Sequence, residues 1–255
     1  MKKQRRDHER PRTTPRRIAV VPAYNEEPTV KSVLERLYPL VDELVVVDDG
    51  STDNTREVVE KWLPDQDNAW MLSFDDNQGM SAAYYLAFTD LRQRLATGEI
   101  GEDDLIYTVD ADGQHELGVL DELRDIAVAD DLDALIVQRD LSTYPLYKRF
   151  GNWVVSAWAS IWAGRRLCDV ESGYRIFRAA ALSDALDYYK GYKYSETVEV
   201  AVVLCRLGYR VRNDVMVPVP VFRSRTSLVD AAVDLAMIPV AAYRASRRRR
   251  RRSRR

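Results

Sequence analysis

Short apolar runs alternate with helix-period segments along the first half of this 255-residue chain, and two of those runs end in pairs of acids. That alternation narrows the fold more than any other feature. The runs at 18–23 (IAVVPA), 43–48 (ELVVVD), 69–74 (AWMLSF), 104–109 (DLIYTV) and 133–138 (DALIVQ) read as strands. The segments at 28–38, 53–62, 80–96 and 117–128 read as helices. Strands and helices in alternation build βαβ units around a largely parallel sheet, so the expected class is α/β, with helices flanking the sheet. Beyond residue 140 the alternation weakens. Residues 146–163 read as an aromatic-rich helix and 195–207 as another, while 209–222 read as extended, with Pro218 and Pro220 confining that stretch to an edge or irregular structure.

In open α/β sheets ligands bind outside the carboxyl ends of the strands, which is where both acidic pairs fall. Asp110-Ala111-Asp112-Gly113-Gln114 follows the fourth strand. Two carboxylates one residue apart at a strand end offer hard oxygen ligands to Mg²⁺ or Mn²⁺, a cation that also binds substrate phosphates. A solvated acidic turn is the plainer alternative, and the buried-looking LIYTV run before Asp110 weighs against it. Asp48-Asp49-Gly50 follows the second strand, where a carboxylate can accept hydrogen bonds from a base or ribose. Gly50 permits a sharp turn and Ser51 to Asp53 offer helix caps, so a strand, a turn and a capped helix explain the same residues. At the exit of the first strand, Tyr24 can stack on a base, with Asn25 and Glu26 beside the nucleoside; the competing reading is an ordinary turn with Pro28 early in a helix. His115 reads as a polar turn residue rather than a metal ligand. Trp153, Trp158 and Trp162, at near-helical spacing, read as core rather than as a lipid groove.

Charge divides the chain. Residues 1–17 carry eight Lys/Arg against two acids, and residues 244–255 carry nine Arg and no acid, so the body of a chain with net charge −2 is strongly acidic. The basic N-terminal segment has almost nothing apolar and is expected to be disordered. Cys168 and Cys205 form no metal-type spacing and no disulfide framework. No run reaches the ~18 apolar residues of a spanning helix. The closest, 228–243, is interrupted by Asp230 and Asp234 and is expected to form an amphipathic helix at a membrane surface, followed by a polybasic tail at 244–255 suited to anionic lipid. No specific nucleic-acid partner is expected, no export signal is read, and the expected location is cytoplasmic, peripheral at the inner face of the membrane.

PAYNE, VDDGSTD and DADGQ, in that order at the ends of strands one, two and four, resemble family-2 glycosyltransferases of the Rossmann-like GT-A fold. Arg139, Lys148-Arg149, the run Asp169 to Arg178 (DVESGYRIFR) and Leu207-Gly-Tyr-Arg-Val extend the likeness to the polyprenyl-phosphate branch, over roughly residues 18–228. The resemblance implies that Pro22, Tyr24, Glu26, Asp48, Asp49 and Gly79 hold the nucleotide. It also implies that Asp110, Asp112 and Gln114 face a metal and the diphosphate, and that Arg139, Arg149 and Arg225 meet donor or acceptor phosphates. Asp169 and Glu199 would lie near the transfer centre. The chain departs from the pattern in two places. Asn77-Gln78-Gly79-Met80-Ser81 lacks the basic residue of many relatives, and Arg223-Ser-Arg225-Thr-Ser-Leu replaces a run that ends in Ser-Lys.

The expected activity is inverting transfer of a hexose from a nucleotide-diphosphate sugar, of the GDP-mannose or UDP-glucose class, to a polyprenyl or dolichyl phosphate. A phosphate acceptor with a second pKa of ~6 is already largely dianionic at neutral pH, so a base such as Asp169 is dispensable for it and needed only for a hydroxyl acceptor. A glycan or glycolipid hydroxyl acceptor is the alternative, and a catalytically silent nucleotide-binding scaffold is another. The oligomeric state has no signature in the sequence.

Overall fold

The structure, a computed structural model, describes residues 14–142, 144–189, 195–218 and 228–252. Its first two strands, β1 (Arg17–Ala23) and β2 (Glu43–Asp49), are enclosed on both faces from Ile18 to Val21 and from Leu44 to Val47. Such continuous apolar runs suit a parallel strand covered by helices on either side. With β3 (Ala69–Phe74) and β4 (Leu105–Thr108) they form the parallel half of a seven-stranded sheet, in the order β3-β2-β1-β4. The register sets Pro22 beside Val47 and Ala23 beside Asp48, so the first two strands end level with each other. The expected strands and helices of this half appear within a few residues of their sequence boundaries.

The other half differs from the simple alternation. β7 (Arg175–Arg178), which no apolar run announces, inserts antiparallel between β4 and β5 (Ala134–Ile136). β8 (Val211–Arg212) completes the sheet, and β6 (Gln138–Arg139) pairs with β9 (Met216–Val217) in a separate two-stranded ribbon. The expected strand 133–138 is therefore broken at Val137, and its end turns toward the site.

Alternate side chains of each strand point to opposite faces. Ile18, Val20, Val45 and Val47 meet α3 (Met80–Thr97), α6 (Ala179–Leu186) and α7 (Glu196–Leu207). Ala19, Val21, Leu44 and Val46 meet α1 (Val30–Leu37), α2 (Thr55–Trp62) and α4 (Leu120–Ala129). A third cluster joins α5 (Leu146–Ala163) to α7 and to α8 (Leu228–Arg252) through Val155, Ala159, Val198, Val202, Ile238 and Ala242.

Two expectations about the chain ends change. Residues 228–243 and the start of the polybasic tail form one continuous helix, whose Ile238, Ala241, Ala242 and Ala245 are buried and whose Leu235 packs toward α5. That apolar face covers the protein core. At the other end, Arg16 and Arg17 belong to the folded body: Arg16 pairs with Glu43 and Asp104, and Arg17 with Asp42. Residues 1–13 and 253–255, with the segment 219–227 that holds Arg225, lie outside the described residues.

Candidate active site

The loops leaving β1, β2 and β3 are laced together before any ligand is considered. Asn25, at φ 53°, accepts from the backbone N–H of Thr52 (2.8 Å) and Asp53 (3.4 Å), and its own N–H donates to Ser51 Oγ (3.1 Å). Glu26 N–H donates to Thr55 Oγ1 (2.8 Å) at the start of α2. Asp48 is ion-paired with Arg56 (2.8 Å). Asp49 accepts from Gln78 N (2.8 Å), Gly79 N (2.9 Å) and Asn77 Nδ2 (2.9 Å), fixing the loop that starts α3. Burial pushes the Asp49 pKa up, against the pull of those N–H groups. Gly50 must be glycine: at φ 65° a Cβ would sit 2.3 Å from the Asp76 carbonyl carbon. Pro22, Tyr24, Glu26, Asp48, Asp49 and Gly79 therefore share one wall, with the acids of that wall tied into its construction.

The D-x-D pair lies just past β4, beside that wall. Asp110 N–H donates to His115 Nδ1 (3.2 Å), which leaves Nε2 as the protonated nitrogen facing Asp110 Oδ2 at 3.3 Å. The His115 ring stacks on Tyr174 (4.6 Å, 12°). From the other side Tyr84 of α3 donates to Asp110 Oδ1 (3.4 Å). Burial would raise the Asp110 pKa, but His115 and the guanidiniums of Arg175 and Arg139 outweigh it and hold the carboxyl below the usual range. Asp112 accepts from Gln114 twice, through the backbone N–H (3.0 Å) and the side-chain amide. Gly173 lies against Asp110 so closely that a Cβ there would stand 2.8 Å from Oδ2.

Among the described residues no cluster of three or more acids, histidines or cysteines could hold a metal by itself. Two carboxylates, one ionised and a quarter exposed, fit a hard cation whose remaining ligands are phosphate oxygens.

Behind Asp110 lies a fully buried pair. Arg175 of β7 binds Glu196 of α7 at 2.6 and 2.8 Å, under the ring of Tyr84 (5.2 Å). Burial opposes the Arg175 charge, Glu196 more than compensates, and the pKa is raised. Glu199, one turn further along α7, is also buried and accepts from Ser195 (2.7 Å) in the helix interior.

Arg139 and Asp169 form an ion pair, a contact that the sequence did not indicate. The carboxylate of Asp169, at φ 47°, accepts from Arg139 N (2.7 Å), Nε (2.9 Å) and Nη2 (2.6 Å). Asn152 of α5, with its amide oriented to satisfy both neighbours, donates to Asp169 Oδ1 (2.9 Å) and Glu171 Oε2 (3.0 Å). These residues stand at one end of a groove of about 760 Å³ along α5, which Arg139, Arg149, Asn152, Trp153, Ile161 and Arg166 help to line. Arg149 is exposed and has no carboxylate within ion-pair distance among the described residues. Trp153 faces this groove, whereas Trp158 turns inward and Trp162 packs against the core.

Tyr84, Asn152, Gly173, Arg175 and Glu196 carry no spacing that marks them as site residues. Only the run DVESGYR, which holds two of them, signals that something follows Asp169.

A mostly parallel seven-stranded sheet flanked by helices, with a D-x-D at the end of its fourth strand, is the GT-A arrangement. The sequence pattern of glycosyl transferase family 2 matches residues 18–180, so the chain belongs to that family and is a glycosyltransferase. It is 28% identical over 203 residues to an undecaprenyl-phosphate mannosyltransferase of Micrococcus luteus, covering 76% of this chain and 79% of that one. It is 27% identical to a UDP-N-acetylglucosamine–dolichyl-phosphate N-acetylglucosaminyltransferase of Methanococcus voltae, covering 73% and 78%. Among solved structures, glucosyl-3-phosphoglycerate synthase of Mycobacterium tuberculosis in complex with Mn²⁺, UDP-glucose and phosphoglyceric acid superposes with a TM-score of 0.60 at 17% identity, over 91% of this chain and 80% of that one.

Proposed function

We propose that this chain transfers a hexose from a nucleotide-diphosphate sugar to a polyprenyl or dolichyl phosphate, with inversion at C1, at a membrane surface. The observation that carries the reading is the groove along α5, lined by Arg139, Arg149 and Asp169 together with the apolar Trp153 and Ile161. Relatives named for polyprenyl-phosphate acceptors support the same acceptor class.

In this reading an acceptor phosphate oxygen forms the new bond to C1 while the C1–O bond to the diphosphate breaks, its electron pair leaving with the nucleotide. Asp110 and Asp112 would hold Mg²⁺ or Mn²⁺, which when bound supplies Lewis-acid neutralisation of the leaving diphosphate. The wall of Pro22, Tyr24, Glu26, Asp48 and Asp49 would seat the nucleoside. Arg139, locked by Asp169, and Arg149 would orient the acceptor phosphate, a preorganised cationic site. Arg225 is proposed to join them. A phosphate acceptor needs no base, and the engagement of Asp169 with Arg139 favours that acceptor over a hydroxyl.

No described helix is long and apolar enough to cross a membrane. On α5, however, Leu146, Phe150, Trp153 and Ile161 are 63–78% exposed and recur four, three and eight positions apart along one stripe about 22 Å long. Arg149 lies near one end, Arg165 and Arg166 just past the other. An apolar stripe with cations at both ends is complementary to an anionic bilayer, and we assign it that occupant. The experiment is incubation of the full chain with Mn²⁺, radiolabelled GDP-mannose or UDP-glucose, and dolichyl or undecaprenyl phosphate. Label extracted with the lipid is expected. Donor turnover with label only in water-soluble glycan would overturn the acceptor assignment.

A further inference from the structure

Asp169 and Gly173 anchor the two ends of one short turn. Asp169 is bound to Arg139 at the groove, and Gly173 abuts the Asp110 carboxylate. The segment between them therefore crosses from the acceptor side to the D-x-D. Ser172 N–H donates to Asp169 O (3.2 Å) and Val170 N–H to Ser156 Oγ of α5 (3.3 Å), so the turn is held at both levels. Val170 and Ser172 are fully buried, which leaves Glu171 as the outward side chain of the crossing.

Glu171 is half-buried. Among the described residues its one hydrogen bond comes from Asn152, to Oε2 (3.0 Å), and it has no cation within ion-pair distance. Burial raises its pKa, while the more distant charges of Arg139 and Lys148 pull it down. A carboxylate beside a site for phosphates repels them, so the partner that suits it there is a neutral hydrogen-bond donor such as a hydroxyl. Sugar hydroxyls are the donors that would come to rest here, since C1 must lie between the diphosphate at Asp110 and the acceptor at Arg139.

We infer that Glu171, oriented by Asn152, accepts a hydrogen bond from a hydroxyl of the transferred sugar and selects a neutral hexose as donor. The inference rests on the glycosyl-transfer reading but not on the identity of the acceptor. The sugar is gripped from the groove side, and the nucleotide and diphosphate from the opposite wall. Losing Glu171 should therefore weaken the sugar's contribution alone.

The test compares the full chain with its Glu171→Ala and Glu171→Gln variants in Mn²⁺, by calorimetric titration with GDP and GDP-mannose and with UDP and UDP-glucose. For the pair that the parent protein binds, the nucleoside diphosphate Kd should stay within about twofold. The Kd of the nucleotide-sugar should rise at least about tenfold in Glu171→Ala, as expected for losing a hydrogen bond to a charged group. Deoxy-sugar donors add a second readout: one deoxy position should weaken the parent and leave Glu171→Ala indifferent. Equal weakening of diphosphate and nucleotide-sugar, or no weakening of either in both variants, would overturn the inference. Because only donor binding is read, absence of lipid product in the transfer assay would sink the acceptor assignment and leave this result standing.

Discussion

Arg139 clasps Asp169 with both its backbone N–H and its guanidinium, at 2.7 and 2.6 Å, and the Asp169 carboxylate is almost wholly buried in that embrace. The pair converts two residues of the site into one unit. Burial alone would discourage the Arg139 charge, but Asp169 raises its pKa and keeps it cationic at the mouth of the groove. A carboxylate so engaged is placed to orient a guanidinium and poorly placed to accept a proton from an acceptor.

Asp169→Asn and Arg139→Ala should accordingly behave as lesions of a single device. Each should lower kcat/KM for the lipid phosphate by up to about a hundredfold, since loosening an orienting group misplaces the acceptor. The double variant should lose no more than Arg139→Ala alone. Steady-state kinetics of the three variants check this. Multiplicative losses, with the acidic limb of the pH–kcat profile abolished in Asp169→Asn, would instead make Asp169 a base for a hydroxyl acceptor.

At the other side of the turn, Gly173→Ala would drive a methyl group into the Asp110 carboxylate, 2.8 Å from Oδ2. Mn²⁺-dependent nucleotide binding should fall markedly while far-UV dichroism is unchanged. Asp112→Ala should lower turnover by roughly a hundredfold or more, by removing a ligand for the cation that neutralises the leaving group. EDTA should reproduce that loss in the parent protein. Near-normal turnover of Asp112→Ala in EDTA would sink the metal assignment.

β1 and β2 were legible because apolar runs buried on both faces look the same in sequence and in space. The D-x-D was legible because a strand end in an open α/β sheet is where ligands go. β7 was not: its RIFR begins with Arg175, and a charge in a central strand makes sense only once Glu196, distant in sequence, is known to meet it. The burial of one face of α8 was not legible for a related reason. Ile238 and Ala242 are enclosed only because α5 and α7 supply a protein surface for them, while Ala232 and Ala236 stay exposed. Pro239 leaves Leu235 O without its helical donor, and Trp158 Nε1 fills that place at 3.0 Å. No local pattern announces that exchange.

Stability should respond to acid through Asp42. Burial tends to raise its pKa, but hydrogen bonds from Arg17 at the start of β1 outweigh this and depress it. A depressed folded-state pKa contributes stability above the unfolded value, lost as pH falls through the folded one. Asp42→Asn should thus lower Tm at pH ~7, by up to about 4 °C for a partly exposed pair, and match the parent once the pH has fallen below the depressed folded-state value. Thermal melts across that range read the difference; a constant offset at every pH would mean that Arg17 is not the cause.

The proposed membrane contact can be divided between two elements of different chemistry. The α5 stripe offers exposed Phe150 and Trp153, their rings stacked at 5.8 Å, and burial of such side chains is insensitive to salt. The α8 helix carries Arg247 to Arg252 into the polybasic end, each worth ~1 kcal/mol near an anionic surface and less as salt screens it. Deleting 244–255 would confuse the two, because it also removes the buried Ala245 and shortens a helix that covers the core. Substitution is the cleaner route. Phe150→Ser with Trp153→Ser should remove the binding to phosphatidylglycerol-containing liposomes that persists in high salt. Gln at positions 247–252 should remove the part that high salt already abolishes. Sedimentation with liposomes at low and high ionic strength separates the contributions. If the α5 variant binds like the parent in both while the Gln variant does not bind at all, α5 does not face the bilayer and the polybasic helix is the whole anchor.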